Sequence, residues 1–223
     1  MMLKASGLFV RALLLCGALV AAVPAARASG LDSLDRFVKA ARSGRASFTQ
    51  VVTSPAKEGQ TARSKTSSGS FEFQRPGRFR FIYRKPFEQT LVADGQTLWM
   101  YDVDLNQVTA RKQAQTLGST PAALIAAAPD MKALQADFDL RDEPDREGLQ
   151  WVQATPRTKD GQLQAVRVGF RVTDKGSELA VLDILDSFGQ RSVLTFTAFE
   201  LNPVLAPSVF QFKAPAGTDV IRP

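Results

Sequence analysis

Histidine is absent from all 223 residues, and cysteine occurs once, at position 16. Without histidine there is no Ser-His-Asp or Cys-His nucleophilic site and no imidazole ligand for a metal. A single thiol cannot assemble a thiolate metal centre. An enzyme on this chain would have to work with carboxylates, lysine, tyrosine or serine. Paired acids do occur at Asp137 and Asp139, at Asp142 and Glu143, and at Asp183 and Asp186. Each pair lies among other charges in a turn-like or strand-edge segment, which fits a solvated surface. Spacing alone does not supply the geometry of paired-acid hydrolysis. The glycine-rich phosphate loops and the G-x-S-x-G nucleophile turn are missing too. No catalytic residue, metal ligand or cofactor site is expected.

The first 28 residues read as a label rather than as part of a fold. Lys4 and Arg11 form a basic start, Ala12–Val23 is an uncharged apolar run, and Ala26-Arg27-Ala28 supplies a small-residue cleavage site before Ser29. The run is shorter than the roughly 20 apolar residues needed to span a bilayer. Leu15 precedes Cys16 and apolar core follows it, which does not fit a lipid-attachment site. The expectation is a cleavable secretory signal at 1–28, export to a bacterial periplasm, and one domain at 29–223. The leader carries three of the 28 basic residues (Lys4, Arg11, Arg27) and none of the 22 acidic ones, so the remainder carries only +3. Residues 29–223 contain no cysteine, so disulfides play no part even in an oxidising compartment.

What the chain has in quantity is alternation. Phe71 and Phe73, then Phe79, Phe81 and Tyr83, recur with period two, the mark of strands that keep one face apolar. Two further runs, Thr90–Ala93 and Gln96–Tyr101, are joined by Asp94-Gly95, a hairpin signal because tight turns demand positive φ. Strands are predicted at 45–53, 63–74, 78–84, 87–93, 96–101, 107–111, 149–156, 163–172, 178–186 and 190–200. Leu31, Leu34, Phe37, Val38 and Ala41 recur at helical spacing and give an amphipathic first helix ending near Ser43-Gly44. Thr120-Pro121 opens a short apolar helix through Ala128, and Met131–Phe138 supplies a second. About ten antiparallel strands can curl into a nearly closed barrel. The fold expected is therefore mainly β with some α: a strongly curved, incomplete antiparallel barrel with an N-terminal helix. The helical insert at 120–138 either covers a concave apolar face as a lid or plugs it permanently.

Five segments resemble one family. They are Ala46-Ser47-Phe48-Thr49-Gln50, Gln74-Arg75-Pro76-Gly77-Arg78-Phe79, Asp94-Gly95-Gln96-Thr97-Leu98-Trp99-Met100-Tyr101, Thr120-Pro121-Ala122-Ala123-Leu124-Ile125-Ala126, and the tail Phe210-Gln211-Phe212-Lys213-Ala214-Pro215-Ala216-Gly217. In that order they resemble LolA, the periplasmic carrier of outer-membrane lipoproteins, across essentially the whole of 29–223. The resemblance implies an open barrel whose helices close a hydrophobic cavity for acyl chains. The related LolB receptor would need a lipid-bearing cysteine where this chain has Ser29.

The resemblance also implies roles for residues. Arg75 matches the arginine that bonds the lid and latches the empty cavity; the plainer reading is a surface arginine at a turn. Phe79, Phe81, Leu98, Trp99, Met100, Leu124 and Ile125 would line the cavity. The implied partners are acylated lipoproteins, an inner-membrane ABC transporter of the LolCDE type as donor, and an outer-membrane receptor of the LolB type as acceptor. The carrier would be a monomer that binds no nucleic acid. One other reading stays open, a periplasmic lipid-binding sensor or LolB-like acceptor module; the polar faces of amphipathic strands explain the basic residues more simply than a second reading, an RNA-stacking surface. The latter comes from Arg75, Arg78, Arg80, Arg84 and Lys85 interleaved with strand aromatics.

Overall fold

The structure, a computed structural model, describes residues 29–56, 59, 61–116, 128–158 and 161–223. The expected leader, and Leu124 and Ile125 of the expected lid, lie outside the described residues.

Helix α1 (Gly30–Ala40) opens at Ser29 with a reciprocal cap. The Ser29 hydroxyl accepts the Asp32 amide at 3.2 Å, and the Asp32 carboxylate accepts the Ser29 amide at 3.0 Å. Leu34, Phe37 and Val38 form its buried stripe. Its first residue must be glycine, because a Cβ on Gly30 would lie 2.0 Å from the Trp151 carbonyl oxygen. The helix ends earlier than its periodicity implies. Asn202 closes it there, accepting from the amides of Arg42 (2.7 Å) and Ser43 (3.2 Å) and donating to the Ala40 carbonyl (3.0 Å).

Six strands follow: β1 (Ser43–Ser54), β2 (Arg63–Gln74), β3 (Arg78–Lys85), β4 (Gln89–Ala93), β5 (Thr97–Asp102) and β6 (Gln107–Lys112). The one-turn helix α2 (Gln113–Thr116) and helix α3 (Met131–Asp137) come next, then β7 (Phe138–Arg146), β8 (Leu149–Pro156), β9 (Leu163–Thr173), β10 (Gly176–Asp186) and β11 (Arg191–Leu201). A 3-10 turn (Pro207–Phe210) and β12 (Asp219–Ile221) end the chain. The twelve strands form one sheet in the order β12-β6-β5-β4-β3-β2-β1-β11-β10-β9-β8-β7. Every pairing is antiparallel except β12 with β6. β7 and β12 are the two edges, so the sheet curves without closing. The incomplete barrel expected from the sequence is the fold observed.

Two strands escape the alternation rule. β7 reads FDLRDEPDR, with only Phe138 buried and Pro144 inside it. An edge strand tolerates proline and charge because one side of its backbone needs no partner. β12 is three residues long and exists through its parallel register with β6.

Candidate hydrophobic site and its latch

Register assembles the concave face. Phe71 pairs with Phe81, Phe73 with Phe79, and Phe48 with Phe196. Directly opposed residues share a face, so these rings meet as one wall. Phe71 stacks on Phe81 at 4.4 Å between centroids, Phe48 meets Tyr83 edge-on at 5.0 Å, and Phe71 lies 5.5 Å from Phe196. The far half of the sheet continues the wall with Val152, Val166, Val168, Leu182 and Leu194. Helix α1 lies across it, its Phe37 ring 6.2 Å from Phe73 and 5.6 Å from Phe170.

The expected lining residues divide. Phe79, Phe81 and Leu98 are 1%, 3% and 4% exposed and belong to one cluster, with Met100 packed against it. Trp99 does not join them. It points to the outer face with its register partners Val92 and Ala110, stacks on Phe212 at 5.5 Å, and donates its indole N–H to Asp94 at 3.1 Å. Leu98 to Tyr101 is apolar on both faces because the C-terminal segment covers the outside of β5.

Arg75, expected from the resemblance to act as a latch, lies at one rim. Arg75 follows β2 in the turn to β3, and its Nη1 donates to the Ala128 carbonyl. Its Nε and Nη2 are buried with no partner among the described residues. The guanidinium carbon sits 5.8 Å from the Phe37 ring and 6.0 Å from that of Phe73, within cation–π reach. Burial pushes the Arg75 pKa down to about 10, so it remains charged at neutral pH. The neighbouring Arg78 lies elsewhere, its guanidinium over the Phe210 ring at 5.8 Å.

Gln113, which sequence reasoning passed over, ties the same rim together. It accepts the Gly95 amide at 3.0 Å and donates to the Gly77 carbonyl at 2.6 Å, joining the β4–β5 hairpin to the Arg75 turn. The two chain segments that flank residues 117–127 are thus both bonded to this rim, one through Gln113 and the other through Ala128. The Asp94 that shapes the hairpin is also fixed. Burial pushes its carboxyl up, but N–H groups of Thr97, Gln96 and Trp99 outweigh that and hold it below the usual carboxylate range.

On β3 the aromatic and basic side chains stand on opposite faces. Phe79, Phe81 and Tyr83 point to the core cluster, whereas Arg80 pairs outside with Glu72 (Nε to Oε2, 3.0 Å) and Arg45 joins it at 3.2 Å. The rings of β3 are thus packed inward, away from the Arg80–Glu72 pair. Asp183 departs from expectation as well. It is 4% exposed and held by Arg191 through two bonds, 2.8 and 2.9 Å, not free in solvent. Arg191 gains correspondingly, its pKa raised by those bonds. Among the described residues no cluster of three or more acidic, histidine or cysteine side chains could hold a metal, and no helix is long and apolar enough to cross a membrane.

A curved sheet with an aromatic inner wall, its rim bonded through Arg75 to Ala128, can shelter apolar chains. A family model described as outer membrane lipoprotein carrier protein LolA matches residues 39–213. The chain belongs to the LolA family. It is 70% identical over 197 residues to an outer-membrane lipoprotein carrier protein of Albidiferax ferrireducens, covering 88% of this chain and 92% of that one. It is 52% identical over 204 residues to the protein of the same name from Methylibium petroleiphilum, covering 92% and 95%. An uncharacterized conserved protein of Thermus thermophilus shares the fold, with a TM-score of 0.50 at 14% identity over 86% of this chain and 98% of its own.

Proposed function

We propose that this LolA-family chain is a periplasmic chaperone for lipoproteins destined for the outer membrane. It accepts them as they leave the inner membrane, shields their acyl chains against the concave wall, and hands them to an outer-membrane receptor. The observation that carries this reading is the aromatic wall of Phe48, Phe71, Phe79 and Phe81 beside a segment latched by Arg75 to Ala128. Exposing one acyl chain to water costs about 0.8 kcal/mol per CH₂, on the order of 10 kcal/mol for the whole chain. A carrier must therefore offer a dry surface of matching extent.

That same cost means cargo does not leave a bilayer unaided, so an energy-coupled ABC transporter of the LolCDE type is the proposed donor. Release requires that the empty state compete with the loaded one. A latched cover does so, because ligand must first break its contacts. The proposed acceptor is of the LolB type, and the carrier acts as a non-catalytic monomer. Localisation follows from the leader-like stretch at 1–28. Mass spectrometry of the protein purified from periplasm should find co-purifying acylated polypeptides. Their absence, together with failure to take up lipoprotein from inner-membrane vesicles, would refute the proposal.

A further inference from the structure

The concave face changes character at one level along its strands. Inward positions on β1 run from Phe48 to Gln50, on β4 from Leu91 to Gln89, and on β5 from Met100 to Asp102. Register places Gln50 opposite Ser67 and Gln89 opposite Asp102, so the polar residues form a band rather than scattered points. Gly69, opposite Phe48, marks the boundary. A Cβ there would lie 1.8 Å from the Ile82 carbonyl oxygen, and the register of β2 against β3 shifts at that point.

Beyond this level lies an open groove of about 820 Å³, lined by the polar band together with Val52, Phe87 and Leu105. Its size falls within the roughly 300–1,000 Å³ typical of small-molecule sites. Tyr83 belongs to both regions: its ring packs on Phe48 and Phe81, and it also borders the groove.

A bare acyl chain would match only the apolar part of this groove, around Val52, Phe87 and Leu105; Gln50 already donates to Ser192 at 2.7 Å, but such a chain would leave the Gln50 carbonyl oxygen and the polar atoms of Ser67 and Gln89 unanswered. A headgroup of one charge sign does not match it either. The charged residues that line it are Arg63 and Lys65 against Asp102 and Asp104, two of each sign. Amide and hydroxyl side chains offer both donors and acceptors. Neutral esters and peptide bonds ask for that combination.

Resting on the carrier reading above, we propose that this groove is a second subsite, which seats the glyceryl ester and first peptide bonds of an acylated polypeptide while its acyl chains lie on the aromatic wall. The carrier thereby reads the junction between lipid and protein, and distinguishes lipoproteins from other double-chain lipids.

The test measures binding of three probes to the full-length mature protein: a synthetic diacylglyceryl-cysteinyl peptide, palmitate, and phosphatidylglycerol. The double variant Gln50→Leu/Gln89→Leu is expected to bind the lipopeptide about tenfold more weakly and palmitate unchanged. Wild-type protein is expected to prefer the lipopeptide to phosphatidylglycerol. A ligand-side measurement does not depend on how the variant folds: N-methylating the lipopeptide's backbone, with the acyl chains kept, should weaken binding to wild type by a similar factor. Unchanged lipopeptide affinity in both experiments, or equal wild-type affinity for phosphatidylglycerol, overturns the subsite. If wild type binds no acylated probe at all, the carrier reading itself fails.

Discussion

Replacing Arg75 by leucine tests the proposed latch. In the closed state three contributions act on its guanidinium. The charged hydrogen bond to Ala128 contributes about 1.5–3 kcal/mol. The Phe37 and Phe73 rings add about 0.5–1 kcal/mol each. Opposing them is desolvation, which pushes the pKa down to about 10. That shift corresponds to roughly 3 kcal/mol against the charged form, less what partial contact with water returns. The terms nearly cancel, so the latch favours closure by only about a kcal/mol or two.

Leucine removes all three terms and leaves the Ala128 carbonyl without this donor, in a residue only 8% exposed. A buried orphan carbonyl costs about 1–3 kcal/mol, and it does so only while the cover is shut. Affinity of Arg75→Leu for a diacylated lipopeptide should therefore rise about 5- to 150-fold, the equivalent of that coupling. Loading from donor vesicles should persist while transfer to receptor slows by a comparable factor. Calorimetry gives the first quantity and a two-step transfer assay the second. Affinity and transfer both within about twofold of wild type would falsify the latch.

Other outcomes follow from the same geometry. Phe79→Glu places an unpaired charge at a position 1% exposed. It should cost several kcal/mol in chemical denaturation, and whatever folded protein remains should load poorly. Normal stability with normal loading would move the wall elsewhere. Both tryptophans lie off the concave face, Trp99 against Phe212 and Trp151 in a separate small cluster. Brominated acyl chains should leave wild-type fluorescence nearly unquenched, yet quench a Trp introduced by Phe81→Trp. Burial pushes the Tyr83 pKa up to about 12, so the unfolded chain releases the phenolic proton first. Stability from this residue is complete below about pH 10 and is lost toward pH 12, by roughly 2–3 kcal/mol. Urea midpoints should fall over that range in wild type and fall less in Tyr83→Phe.

Local rules carried much of the architecture. Period-two aromatics in β2 and β3, the Asp94-Gly95 hairpin, the α1 stripe and the helix at 131–137 were legible because each depends on neighbours a few residues away. The choice of Phe79, Phe81 and Leu98 as one buried cluster followed from alternation combined with the family resemblance. Trp99 shows where that stops. In β5 both faces are apolar, and only the C-terminal segment folding back across it, over a hundred residues later, decides which face is inside. β7 and β12 likewise depend on partners supplied by topology, and Asp183 is buried only because Arg191 of the next strand reaches it. The rim that joins Gln113, Gly77, Gly95, Arg75 and Ala128 has no sequence periodicity. It arises because sheet curvature brings two turns and the two flanks of residues 117–127 to one edge. Sequence by itself determined which segments form strands and which side chains are large and apolar. Tertiary structure alone decided which of them share a face, because facing is set by contacts between residues far apart in the chain.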